Sequence, residues 1–486
     1  MPETFDHLSG TASLGPLRRS PRHGVVVRTK RRLVVWGLLA ATAGFLFGYQ
    51  AGVISGALLF VRREFALSDV EQGALVSMLP LGALVGGLIA GDLADRIGRR
   101  GTLIADGLVF VAGTILAVVA PSYVVLLVAR AITGAGVGIA AVTVPLYLSE
   151  LAPPAARGRL VTLNQLMITL GILAAYCVDL VFADSGSWRA MFALALVPAA
   201  VLVAGMLRAP ETPAWLEAHG DPDAARRVIA AVTDRATADL LLDDLRRSRA
   251  QDVERIAARD LLRSAAAPAL MIGVTLAAAQ QFAGINAIIS YAPTIMEKTG
   301  LNLSDSVLYS VLIAVVNVVA TIVSFRLVDR LGRRPLLLLS AAGMFVSLVV
   351  LGLIFLLPAG AAQSWLALAC LLVYIASFAV GLGPVFWVLI AEIFPPAARA
   401  AGASVSTATS WLSNVVVGLG FLAVTGALGE ALTFWIFAAV CAFVFAFAHR
   451  YVPETKGRRF SEIDQEVRAR RTGRARVDAP SPRPTG

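Results

Sequence analysis

The sequence predicts an all-α membrane protein with twelve spanning helices in two six-helix halves, and short helices on one membrane face between the halves. Three observations predict it. Of the 486 residues, 57% are hydrophobic and 15% charged, whereas a water-facing surface takes roughly a quarter charged residues. Apolar runs long enough to supply the about 20 residues that cross a bilayer core occur twelve times. The two sets of six also repeat each other's charged motifs. The same figures, with a mean hydropathy of +0.76, exclude a soluble multidomain protein, a disordered chain and a disulfide scaffold.

Residues 1–32 carry seven Lys/Arg, and no cleavage pattern follows the first apolar run, so they read as a retained cytoplasmic tail. In the first half, 33–207, apolar runs lie near 33–60, 72–91, 102–120, 122–149, 160–182 and 188–207. A linker, 208–267, balances ten Arg against eleven Asp/Glu, and its stretches 224–233 and 238–249 have helical composition. The second half, 268–451, has runs near 268–296, 306–328, 335–357, 364–391, 400–427 and 430–451. Residues 452–486 form a second tail, rich in Pro and Arg after Arg470 and in part disordered by composition. An even span count puts 37 of the 42 Lys/Arg on one face, and the positive-inside bias makes that face, with both termini, cytoplasmic. The net charge of +10 is therefore topological, and nucleic acid is not an expected partner.

Gly82, Gly86, Gly87 and Gly91, and Gly134, Gly136 and Gly138, allow helix backbones to approach closely. Cys177, Cys370 and Cys441 stand singly in apolar stretches, and His7, His23, His219 and His449 lie in tails, a loop or a helix end. No metal site, cofactor or midmembrane histidine relay is expected, and no nucleophile–base pair suggests an enzyme.

The duplication is ordered. Gly91-Asp-Leu-Ala-Asp95-Arg96-Ile-Gly98-Arg99-Arg100 recurs as Phe325-Arg-Leu-Val-Asp329-Arg330-Leu-Gly332-Arg333-Arg334. Glu150 and Arg157, after the fourth span, recur as Glu392 and Arg399, and Pro210-Glu211-Thr212 recurs as Pro453-Glu454-Thr455. Duplicated halves suit a carrier that rocks about a central site. Asp95, Arg99, Arg100, Glu150 and Arg157, with Asp329, Arg333, Arg334, Glu392 and Arg399, then form a charge network that closes the cytoplasmic side and breaks when it opens. Fixing topology alone needs the arginines but not acids at set spacing beside them.

These residues also carry a resemblance. The chain resembles the sugar porters of the major facilitator superfamily across essentially all twelve spans, through Gly48-Tyr49, the loop at 91–100, Pro145 to Glu150, Arg157-Gly158, Asn164-Gln165 and Pro210-Glu-Thr-Pro-Ala-Trp-Leu216. It continues through Gln280-Gln281-Phe-Ala-Gly-Ile-Asn286, Asn317, 329–334, Gly383 to Trp387, Glu392 and Trp411. The resemblance implies the major facilitator fold and a transporter of a monosaccharide or related polyol.

Uncharged polyhydroxylated ligands need donors and acceptors in exchange for water, and an amide supplies both. Polar side chains inside membrane helices tend to face the bundle interior. Gln165 on span five, Gln280, Gln281 and Asn286 on span seven, Asn317 on span eight and Asn414 on span eleven supply amides, and Trp387 and Trp411 supply aromatic faces. The resemblance implies that these positions line the site and that Tyr291 belongs to an outer gate. Interhelical hydrogen bonding is the alternative use of each amide, and membrane-interface anchoring that of the tryptophans. Gln281 and Asn286 are five apart and do not share a face of an ideal helix; Gly284 between them permits unwinding. Ile172, seven residues after Gln165, is apolar as in the animal glucose facilitators, and Ser410 precedes Trp411 where the family often has an amide.

Proton-driven sugar porters resemble one another in an Asp directly after the Gly-Tyr of span one, near an arginine matched here by Arg130. This chain has Gln50, which does not titrate in the physiological range. Asp106 and Asp179 are the other acids well inside spans and lie toward opposite ends. The reading is facilitated diffusion by a monomer in the cell membrane, with a sugar or polyol as partner. The alternatives are proton symport through another acid and a non-sugar exporter of the same superfamily. A membrane sensor on this fold needs a longer signalling extension than these tails provide.

Overall fold

The computed structural model describes residues 31–233, 235–250, 256–458 and 460–471. Among them every element is helical, and eleven helices are long and apolar enough to cross a membrane. One of these, Asp69–Val118, has 50 residues, about 75 Å of helix rise and more than twice the roughly 30 Å hydrocarbon core. It is two spans. Gly98 breaks it at φ 85°, ψ 161°, a positive-φ extended conformation essentially confined to glycine that costs a side-chain-bearing residue about 1–3 kcal/mol. The count is therefore twelve, as the hydropathy predicts.

The spans run as follows: one, Arg31–Glu64; two and three, the arms of Asp69–Val118; four, Tyr123–Leu151; five, Pro154–Ala183; six, Trp188–Arg208. In the second half they are seven, Ala267–Glu297; eight, Leu303–Leu331; nine, Arg333–Ile354; ten, Ala361–Ile393; eleven, Arg399–Leu428; and twelve, Glu430–Tyr451. Their starts carry the expected local signals. Ser68 and Glu71 form a reciprocal capping box at span two, and Asn302 caps span eight through the Asp305 amide. Gly332, at φ 93°, turns the chain between spans eight and nine as Gly98 does between two and three.

Within the first half, glycine lets backbones touch. A Cβ on Gly48 would collide with the Ile168 carbonyl, and one on Gly171 with that of Phe45, which locks span one on span five. Gly82 and Gly86 likewise face Ala131 and Ala135 of span four, while Gly134 and Gly138 face Leu79 and Ala83 of span two. Gly91, from the same stripe, faces open space.

The face that carries Arg31, Arg471 and the two Gly-turn loops is here the basic face. Beneath it, linker helices Pro213–Ala218, Pro222–Val232 and Arg235–Ala250 share a small core of Ala225, Ile229, Ala238 and Leu242. A further helix, Phe460–Arg471, lies in what the sequence presents as a tail; it buries Ile463 and Val467 and packs on spans seven, ten and twelve. The expected disorder beyond Arg470 concerns residues that, from 472 on, lie outside the described ones.

Span two meets span eleven, span five meets span eight, and span one meets the distal part of span seven. The hydrogen bonds that join the halves gather away from the basic face. Ser77 donates to the Val415 carbonyl at 3.1 Å, Tyr176 to that of Ile289 at 2.5 Å, and Ser304 to the Asp184 carboxylate at 2.7 Å. The molecule is closed at this opposite face.

Candidate functional site

Span seven is broken where the amides cluster. Its first helix ends at Phe282 and its second starts at Ile285, with Gly284 between them at φ 95°. The break lets residues five apart meet: Asn286 Nδ2 donates to Gln281 Oε1 at 2.6 Å. Gln281 Nε2 donates in turn to Ser410 Oγ of span eleven at 2.9 Å and, at 3.4 Å, reaches Gln280 Oε1. Gln280 donates to the Leu382 carbonyl at 3.0 Å, and the Leu382 amide donates to Ser340 at 3.0 Å. Leu382 begins the second helix of span ten, after a break at Gly381. Two interrupted spans are thus tied by one amide, and the midmembrane backbone groups they free find partners.

Ser410, where the sequence loses a longer amide, is the anchor of Gln281. Trp411 beside it is buried and lies against Phe47 of span one, ring centroids 5.8 Å apart. Phe47 closes the site from the other half, and the sequence reading did not single it out. Gln165, Asn317 and Asn414 make no hydrogen bond to another described residue; Asn317 is buried, and Gln165 and Asn414 are half-buried. Their donors and acceptors are available to a ligand. Trp387, 42% exposed, packs edge-on to Phe386 at 5.0 Å and joins none of these contacts. Tyr291 is fully buried, donates to the Gly418 carbonyl at 3.2 Å and stacks on Phe421 at 5.0 Å, which fills the bundle on the closed side of the amides.

At the coupling position Arg130 Nη1 donates to the Gln50 carbonyl at 2.9 Å and reaches its Oε1 at 3.4 Å, while Gln50 Nε2 meets Thr114 at 3.3 Å. Both residues are buried, and Arg130 Nε and Nη2 have no partner among the described residues. Among the described residues no carboxylate pairs with this guanidinium. Asp179 instead accepts from the Gly56 amide at 3.0 Å and from Ser55 at 3.5 Å. Asp106, fully buried, faces Gly136 of span four, and neither of its oxygens has a partner among the described residues.

The repeated charges assemble twice, once in each half. Arg99 pairs with Asp95 and Glu150, each at 3.0 Å, and Thr212 donates to Glu150 at 2.6 Å. Glu211 accepts from the amides of Arg99 and Arg100 just after the Gly98 turn, and a Cβ on Gly98 would strike its carboxylate. The second half matches: Arg333 pairs with Glu392 at 3.1 Å, Thr455 donates to Glu392 at 2.5 Å, and Glu454 accepts from the amides of Arg333 and Arg334. Each glutamate caps the positive end of a spanning helix. Burial pushes the Glu211 carboxyl up, and the amides of Thr212, Arg100 and Arg99 counter part of that rise. Arg100 and Arg334 reach carbonyls at the ends of spans six and twelve, Leu207 at 2.7 Å and His449 at 2.8 Å.

These findings modify the expected network. Among the described residues its ion pairs stay within one half, so in this state they brace each half rather than join the two. Arg399 is exposed and does not pair with Glu392, because the turn Pro396–Ala398 carries it past the end of span ten, whose Glu392 faces Arg333 instead. The side chains of Arg157 and Asp329 lie outside the described residues. Glu211, Thr212, Glu454 and Thr455 were visible as a repeat but not as members of the network.

A family model described as "Sugar (and other) transporter" matches residues 36–467. The chain belongs to the sugar porter family of the major facilitator superfamily. A glucose transporter of Staphylococcus epidermidis is 38% identical to this sugar porter over 89% of the chain and 97% of its own length. A galactose–proton symporter of Escherichia coli is 38% identical, over 88% and 93%. Among solved structures, a partially occluded inward-open form of the Escherichia coli xylose transporter superposes with a TM-score of 0.78 at 28% identity, covering 88% of this chain and all of that one. This sugar porter is a multi-pass membrane transporter, not an enzyme.

Proposed function

We propose that this sugar porter carries a monosaccharide or a related polyol across the cell membrane by alternating access, as a uniporter, with both termini in the cytoplasm. The observation that carries the substrate class is the set of neutral amides. Gln280, Gln281 and Asn286 are fixed by one another at the break in span seven, while Gln165, Asn317 and Asn414 are left unpaired for a ligand. Fixed and free amides, with the Trp411 and Phe47 rings beside them, suit a ligand that presents many hydroxyls and an apolar C–H face. No side chain of this set is charged, which disfavours an organic ion. The names of the glucose and galactose relatives agree with a hexose.

Closure at the opposite face, with the charge networks confined to the halves, supports an inward-facing state in a cycle that moves one half against the other. The basic face is then the cytoplasmic one, as the Lys/Arg bias requires. For coupling, the decisive contact is that of Arg130 with Gln50, because among the described residues the guanidinium meets an amide there and no carboxylate. A second reading, proton symport, is favoured by the galactose–proton relative and by the unpartnered Oδ1 of buried Asp179. Labelled hexose uptake into proteoliposomes under an imposed proton gradient decides between them. A uniporter equilibrates the sugar whether or not an ionophore is present. Ionophore-sensitive accumulation above the external concentration refutes uniport and makes Asp179 the first residue to replace.

A further inference from the structure

On the opposite face, Arg62 at the end of span one donates to Glu297 at the end of span seven at 2.6 Å, with Arg63 behind it at 3.7 Å. Among the described residues these are the ion pairs that cross between the halves. The side chains of Arg62 and Glu297 are 22% and 27% exposed, so the pair is partly shielded from water.

The surrounding charges explain why these groups turn to each other. Glu64, two residues from Arg62, is taken by Arg189 at 2.8 Å and by the Trp188 indole at 2.6 Å inside the first half. Lys298, next to Glu297, is taken by Glu430 at 2.6 Å inside the second half. Each half therefore satisfies its neighbouring charge internally, which leaves Arg62 and Arg63 of the first half to face Glu297 of the second. Glu297 is also the last residue of its helix, where the macrodipole disfavours a carboxylate. A cation from the other half offsets that placement. When the halves part at this face, Glu297 keeps the unfavourable helix end and loses the cation.

We propose that Arg62 and Glu297 form the lock of the outer gate, a cross-half ion pair that holds the outside closed and breaks once in every transport cycle. The contacts beside it, Tyr176 to Ile289, Ser77 to Val415 and Ser304 to Asp184, seal the seam, and the ion pair sets how long it stays sealed. Arg62 and Glu297 are positioning residues: they touch no substrate and act through the closure of span one on span seven. The lock rests on the alternating-access reading.

The test measures the gate without any sugar. Spin labels at Ser185→Cys and Ala359→Cys, exposed positions at the opposite face of the two halves, are placed in protein whose Cys177, Cys370 and Cys441 have been replaced. Pulsed electron–electron resonance then gives the distribution of distances between them. Glu297→Gln removes both cross-half pairs and should raise the long-to-short ratio about two- to fivefold. Arg62→Gln should raise it less, because Arg63 takes over, and Arg62→Lys should keep the parent distribution. The double exchange Arg62→Glu with Glu297→Arg should return the ratio toward the parent. In transport, Glu297→Gln should lower the KM for external sugar together with kcat, since more carriers wait open to the outside. A ratio that ignores Glu297→Gln while two distances are present overturns the lock alone. A single distance in every variant, with and without glucose, overturns alternating access and the lock with it.

Discussion

Gln281→Ala tests the amide site where its wiring is densest. The side chain makes two good hydrogen bonds, to Ser410 at 2.9 Å and from Asn286 at 2.6 Å, and a third at the limit, to Gln280 at 3.4 Å. Truncation leaves the Asn286 amide and the Ser410 hydroxyl without their partner. At about 0.5–1.5 kcal/mol net for each bond, the two good ones together are worth roughly 1–3 kcal/mol of positioning, or about five- to 150-fold in affinity at 1.4 kcal/mol per decade. Asn286→Ala breaks only one internal bond and should cost about two- to tenfold. Gln281→Ala should therefore be the more damaging of the two. Equilibrium binding of labelled glucose or galactose to purified protein measures both, with circular dichroism and gel filtration to show that the fold is kept. Unchanged affinity in two well-folded variants would mean that these amides only pack helices and that the sugar sits elsewhere.

Three further outcomes follow from the geometry. Gln50→Asp puts a carboxylate beside Arg130 and should make sugar uptake respond to an imposed proton gradient; uptake that stays indifferent to the gradient contradicts the coupling argument. Glu392→Gln removes the carboxylate charge that faces Arg333 and Thr455, a partly exposed ion pair worth under about 1 kcal/mol. It should slow turnover and raise thiol labelling from the basic face, with sugar affinity within about twofold; unchanged labelling counts against a gating role. Gly98→Ala combines a positive φ of 85° with a clash against Glu211, and should lower thermal stability by about 1–3 kcal/mol. Gly91→Ala, which meets open space, is the neutral control, and equal melting of the two would refute the packing argument.

How much of this was legible beforehand differs by feature, for physical reasons. The twelve spans follow from hydropathy alone, because a bilayer leaves little choice of element. The break at Gly284 was readable from two amides at an unsuitable spacing with a glycine between them. What Gln281 bonds was not, since Ser410 is 129 residues away. Glu211 and Glu454 were visible as a repeated motif, yet their partners are backbone amides at the Gly98 and Gly332 turns, which no side-chain pattern advertises. The sequence places Arg399 in one network with Glu392, and the Pro396–Ala398 turn carries it away from that carboxylate. Phe47 on Trp411, Tyr176 on Ile289 and Arg62 on Glu297 depend on how the two halves meet, a property of the conformational state rather than of either segment.

In the proposed cycle the fixed and free amides between the halves bind a neutral sugar, which then crosses the membrane. Counterflow of labelled glucose and galactose in proteoliposomes tests it most directly, since it needs no driving ion. Vesicles preloaded with unlabelled sugar should take up label transiently above equilibrium, with an overshoot that saturates and that collapses in Gln281→Ala. No overshoot with any monosaccharide or polyol, in protein that folds and inserts normally, would contradict it.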